Sequence, residues 1–186
     1  MQVDVKYVPR ECMSKELKEI GERYYQYTAI DEYTRLRYTY FCKEHTTYES
    51  TVFLNKLIKY FPFKIELIQT DNGFEFTNKL NWNGFYRNKK TMFEKRLEEL
   101  EITHNLIRPH TPTQNGKVER SHRNDQERFY NYLKFYSFED LQKQMAAYLR
   151  RSNNIPISVL NWRTPLQKRQ EIQLASNARF LCSLRS

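Results

Sequence analysis

Three acidic side chains stand where regular elements begin or end. Asp4 lies inside an alternating segment, Val3, Val5 and Tyr7 against Asp4 and Lys6, that reads as a strand with one buried face. Asp71 follows the run Lys64–Thr70 and opens the turn signal Asp71-Asn72-Gly73, while Glu119 falls in the first turn of a helix starting near Lys117. Sixty-six residues lie between the first pair and 47 between the second, so only the fold can unite them. Carboxylates gathered this way suit two-metal phosphoryl transfer, in which two Mg2+ or Mn2+ ions about 4 Å apart hold the attacking and leaving oxygens. With 22 acids in the chain, an acid at such a place is more often a solvated turn residue or a helix-dipole partner, and spacing alone leaves both readings open. His/Cys clusters of the zinc type are not present in the sequence.

The elements that must position these acids follow from pattern. After the first strand, Tyr24–Ile30 and Leu36–Cys42 are dense in aromatic and β-branched residues around the turn Asp31–Arg35, which predicts a hairpin pairing with the first strand. Val52, Phe53, Leu57 and Ile58 with Phe61 give helical spacing over 47–60, closed by Pro62. A strand at 64–70, a charged helix at 91–100 and a strand at 102–107 come next. Pro109 to Gly116 excludes regular structure by its two prolines and glycine. A long helix is predicted from Lys117 to about Phe135, with Phe129, Tyr132, Leu133 and Tyr136 as its buried stripe, and another from Phe138 to about Ser152. This order implies an α/β fold: a mixed five-stranded sheet flanked by helices, its first three strands antiparallel and the later ones joined by crossovers.

Composition bounds the partners. The 186 residues suffice for one ordinary core, and 15% aromatic content excludes a disordered chain. Net charge is +9, and residues 117–186 hold 13 basic against 6 acidic side chains, so any phosphate-binding face is expected there. Three scattered cysteines, Cys12, Cys42 and Cys182, suit neither a disulfide framework nor a zinc site and point to a reducing compartment. No apolar run reaches membrane-spanning length and no secretion signal is present, which predicts a soluble, cytoplasmic protein with no membrane partner.

Longer stretches of wording are more specific. Val3–Tyr7, Tyr27–Arg35, Gln69-Thr70-Asp71-Asn72-Gly73-Phe74-Glu75-Phe76 and above all Arg108-Pro109-His110-Thr111-Pro112-Thr113-Gln114-Asn115-Gly116-Lys117-Val118-Glu119-Arg120-Ser121-His122-Arg123 resemble the catalytic core of integrase-like transposases of bacterial insertion sequences. These belong with retroviral integrases among the Asp-Asp-Glu recombinases. The likeness runs from about residue 2 to residue 170. It implies a ribonuclease-H-like fold in which Asp4, Asp71 and Glu119 match the three metal-binding carboxylates. It implies Mg2+ or Mn2+ as cofactor, double-stranded DNA (element ends and target) as partner, a homo-oligomer of at least two copies, and a bacterial, nucleoid-associated location. Gln114, Asn115, Lys117, Arg120, His122 and Arg123 are the expected DNA-binding residues. A catalytic core at 1–135 and a helical extension at 136–186 packed on it are the expected division.

The residues explain parts of that likeness. Gly73 permits a positive φ and a close backbone approach, and the Pro-Thr-Gln-Asn-Gly segment reads as a mobile loop delivering Lys117 and Glu119 at a helix N-terminus whose amides favour anions. Positions 119, 122, 123 and 126 share one helix face, which puts His122, Arg123 and Gln126 beside Glu119. Asp31 is a fallback for the first ligand but reads better as a turn-capping acid, and His104 and His110 read as packed or solvated. Ile155-Pro156 stands where relatives carry Arg-Pro-His, and the 78–100 insertion lengthens the spacing between the second and third acids. Relatives also carry helix-turn-helix modules upstream, so element-end reading is expected outside this segment. The expected function is DNA end cleavage and strand transfer. The alternatives are a nuclease of the same fold acting on RNA–DNA hybrids, disfavoured by the integrase-like Pro112–His122 wording, and an inactive DNA-binding or oligomerisation remnant.

Overall fold

The computed structural model describes residues 1–108 and 112–183, apart from the side chains of 109–113 and 176–186. Five strands, β1 (Gln2–Tyr7), β2 (Tyr25–Ile30), β3 (Arg37–Cys42), β4 (Leu67–Thr70) and β5 (Thr103–Leu106), form one sheet in the order β3-β2-β1-β4-β5. The first three are antiparallel, and β4 and β5 run parallel to β1, as the element order predicts. Asp31 turns the β2–β3 hairpin: its Oδ2 accepts from the backbone N–H and the hydroxyl of Thr34, both at 2.7 Å, which is the turn-capping role.

Because side chains alternate along a strand, the register sorts them into two unlike faces. Gln2, Asp4 and Lys6 lie beside Ile30, Thr28 and Gln26, then Arg37, Thr39 and Phe41, with Gln69 and Asn105 on the other flank. The opposite face carries Val3, Val5, Tyr25, Tyr27, Ala29, Tyr38, Tyr40 and Ile68. Against that apolar face pack α2 (Thr47–Tyr60) and α4 (Met92–Glu99), through Phe53, Leu54, Leu57, Phe93 and Leu97. The polar face is covered by α5 (Gly116–Arg128), which buries only Val118, Ser121 and Asp125 of its own residues. A second apolar cluster joins Val8, Cys12, Met13, Tyr24 and Phe41 to Phe129, Tyr130, Leu133, Phe135 and, from α6 (Phe138–Ser152), Leu141 and Met145. It is therefore built from residues on both sides of position 135.

The long helix is shorter than periodicity suggests. α5 stops at Arg128, Phe129 takes φ −126°, ψ −64°, and Tyr130–Tyr132 form a 3-10 turn. The chain turns so that Phe135 can exchange backbone hydrogen bonds with Cys12 and Ser14 at 3.0 Å each and bury its ring. Tyr132 and Tyr136, expected in a stripe, are consequently exposed. Small elements not read from the sequence are α1 (Lys15–Glu19), α3 (Gly84–Arg87) and a 3-10 turn at Pro112–Asn115. A further helix, α7 (Pro165–Ser183), was also not read, although its start obeys a capping-box pattern: Thr164 Oγ1 accepts from Gln167 N at 3.1 Å while Gln167 Oε1 accepts from Thr164 N at 2.9 Å, with proline first in the helix.

Candidate active site

Asp4 and Asp71 come together through strand pairing. Gln2 is in register with Gln69 on the parallel neighbour, and two residues further along each chain stand Asp4 and Asp71. The Asp71 carboxyl is raised from its ordinary value to about 6, first by burial, then by the charges of Asp4 and Glu75, against an opposing hydrogen bond from Gly73 N at 3.1 Å. Asp4 accepts from Val5 N at 2.9 Å, and its other oxygen lies 3.4 Å from His122 Nδ1, delivered by α5. His122 is mostly buried, and its Nε2 has no hydrogen-bond partner among the described residues.

Glu75 and His45 belong to the same neighbourhood and were missed by the sequence reading. Glu75 is buried, its Oε1 2.9 Å from His45 Nε2, and this hydrogen bond raises the His45 pKa despite burial. The motif Asp71-Asn72-Gly73-Phe74-Glu75 held the signal, a second acid directly after the turn. Gly73 serves Glu75 too: its φ is not positive, and a Cβ there would stand 2.5 Å from the Glu75 carboxylate oxygens. Glycine leaves room for that close approach, and the positive φ expected from the sequence is not used.

Glu119 is exposed on α5, three residues before His122 and so on the same side of the helix, but its carboxylate is not brought into a cluster: among the described residues no three His, Cys, Asp or Glu side chains are grouped to hold a metal. The expected anion site at the start of α5 is already satisfied, since Gln2 Oε1 accepts from Lys117 N at 3.0 Å and Val118 N at 3.3 Å. Of the expected DNA-binding residues, Asn115 is buried and donates to Val3 O at 3.2 Å, which makes it an anchor of α5 on β1. The Gln114 carbonyl accepts from Gln2 and Gln69, and Lys117 pairs with Glu32 at 2.5 Å. Arg120 and Arg123 are exposed. A cleft of about 1080 Å³ opens beside Arg120 but not Arg123, and Arg35, Arg108, Lys117 and Arg120 give it a cationic lining. His104 is packed against Thr70 and Phe93, and His110 lies outside the described residues.

Beneath α5 a buried polar network fixes the helix to the sheet. Asp125 accepts from Arg37 Nη1 at 2.8 Å and Gln26 Nε2 at 2.9 Å, and Gln26 in turn accepts from Tyr130 Oη. Asn153 clamps the Arg37 backbone with bonds of 3.1 and 2.9 Å. The network sets the rotation of α5 and so directs His122 at Asp4.

Comparison with known proteins adds the family. The integrase core domain model matches residues 1–112, more than half of the chain, and a second integrase core domain model matches 100–165. The chain belongs to the integrase core domain family. Among curated relatives, this integrase core is 33% identical over 144 residues, three quarters of its length, to the ORF3 protein of Spiroplasma virus SpV1-C74, named as an integrase, covering 36% of that protein. It is 25% identical over 170 residues, 88% of its length, to 11% of a retrovirus-related Pol polyprotein from transposon RE2 of Arabidopsis thaliana. The chain thus spans about a third or less of the curated relatives it matches. Solved structures share the fold at 19% identity. A chain in the cryo-EM structure of a simian T-cell lymphotropic virus intasome with a PP2A regulatory subunit gives a TM-score of 0.67, over 90% of this chain and 52% of that one. The crystal structure of the BIV integrase catalytic core domain gives 0.60 over 97% of both chains. The integrase core therefore has the ribonuclease-H-like fold of retroviral integrase catalytic cores. No helix among the described residues is long and apolar enough to cross a membrane.

Proposed function

We propose that this integrase core catalyses metal-dependent cleavage at the end of a mobile DNA element and transfer of the freed 3′ end to target DNA. The observation that carries the reading is the placement of Asp4 on β1 near Asp71, which stands just past the end of the parallel strand β4 and is raised to about 6 by burial and by its acidic neighbours. Repelling carboxylates of this kind form a hard oxygen donor set that a divalent cation stabilises. Asp4 and Asp71 would hold the metal, with Glu119 as the third ligand supplied from α5. When bound, Mg2+ or Mn2+ supplies Lewis-acid stabilisation of the charge that develops in phosphodiester displacement.

The protein's own groups do the rest of the positioning. His122 orients the Asp4 carboxylate, Gly73 N–H orients Asp71, and the Asp125 network holds α5 in place. The cationic cleft beside Arg108 and Arg120 is the surface for duplex phosphates. As a working unit we assign a homo-oligomer, for which the intasome named among the structural neighbours is the precedent.

Incubation with Mn2+ and labelled DNA carrying candidate element ends tests the reading. Joined products from the wild type that vanish in both Asp71→Ala and Glu119→Ala are the expected result. Joining that survives either substitution overturns the ligand assignment, and cleavage confined to RNA–DNA hybrids would favour the nuclease alternative.

A further inference from the structure

The insertion between the second and third acids presents aromatic rings to solvent with cations around them. From Phe76 to Phe93 the chain carries Lys79, Arg87, Lys89 and Lys90 and no acid. Within it Trp82 is 88% exposed, Phe85 is mostly exposed, and Tyr86 and Leu80 are about half exposed. A tryptophan so open gains nothing for the fold. The segment is nevertheless shaped: Asn78 Nδ2 donates to Lys89 O at 2.8 Å, Asn83 caps α3 by accepting from Phe85 N at 3.1 Å, and Lys89 Nζ sits 3.6 Å from the centre of the Phe85 ring. Its base is tied to the candidate site, since Phe76 N and Thr77 N both donate to Gly73 O and Thr91 Oγ1 donates to Phe76 O.

We infer that residues 78–90 form a stacking platform for unpaired nucleotides of a DNA strand beside the Asp4–Asp71 site. Exposed aromatic faces accept bases of any sequence, and interleaved lysine and arginine track the phosphates between them. A duplex keeps its bases stacked internally and offers little to a lone Trp82, so the platform selects single strands, such as a frayed end or an unpaired flank. The inference rests on the reading of this integrase core as a DNA strand-transfer domain and deepens it.

The chain has two tryptophans, Trp82 and Trp162, so a Trp162→Phe background makes emission report Trp82 alone. Titration with an oligothymidylate of about 12 nucleotides is expected to quench that emission. Anisotropy of the labelled oligonucleotide should then show affinity falling roughly 5- to 100-fold in Trp82→Ala, with most of it retained in Trp82→Tyr. Lys79→Ala with Lys89→Ala should lower the salt dependence of the same binding, more than Lys90→Ala, whose ammonium already pairs with Glu98, while affinity for a blunt duplex of equal length stays within about twofold in every variant. Absence of quenching, or equal loss of single strand and duplex in Trp82→Ala, overturns the inference and leaves the rings as a protein-contact surface. The joining assay separates the two readings: quenching without joining sinks the strand-transfer assignment alone, and joining without quenching sinks the platform alone.

Discussion

Burial and the charges of Asp4 and Glu75 lift Asp71 to about 6, so the folded protein holds that proton more tightly than the unfolded chain does. Ionising Asp71 therefore costs native stability. The cost starts near the unfolded carboxylate pKa, about 4, and is complete above the folded value. Asp71→Asn should stabilise the protein by about 1–2 kcal/mol at neutral pH, allowing for the solvent that reaches the site, and by nothing below about pH 4. Urea denaturation at several pH values checks this, and a gain independent of pH would show that charge is not the cause. Gly73→Ala should destabilise by about 1–2 kcal/mol, because its Cβ meets a Glu75 carboxylate that His45 holds in place. Adding Glu75→Ala to it should recover part of that loss in the same melts.

At the scale of elements, the ion pair between α5 and β3 is the sensitive joint. Asp125 and Arg37 are both buried, and Arg37 Nε and Nη2 already lack partners among the described residues. Asp125→Ala should cost about 3–5 kcal/mol, whereas Arg37→Met with Asp125→Leu should recover most of it, since no charge is then left buried alone. Denaturant midpoints for the three proteins decide it. This joint also shows what the sequence could reveal. The strands and α2 were legible because their apolar residues repeat at periods of two and 3.6, and Asp4 and Asp71 stood out as candidates because of the residues around them. The Asp125 network was not, since Val118, Ser121 and Asp125 make a buried stripe that is mostly polar and casts no hydrophobic signal. The end of α5 was missed because Tyr132 and Tyr136 continue the helical spacing while the backbone leaves it to pair with Cys12 and Ser14.

Across the whole molecule, the charge excess after position 117 meets the cationic cleft at Lys117 and Arg120. Arg120→Ala should weaken duplex binding and reduce the slope of log affinity against log salt by about 0.9, the value of one phosphate contact. Lys117→Ala should change the slope less, because Glu32 already neutralises that ammonium. Filter binding between low and moderate salt measures both.

The unlike faces of the sheet bear on how the molecule assembles in time. α2 and α4 seal an aromatic layer whose burial rewards early collapse, whereas α5 settles on glutamine, threonine and aspartate. Docking of α5 is then expected late in folding, and its release before that of α2. Amide hydrogen exchange should show the α5 backbone opening at lower free energy than α2. The helix that carries Glu119 is thus expected to leave and regain its seat on the sheet while the aromatic layer under α2 and α4 stays closed.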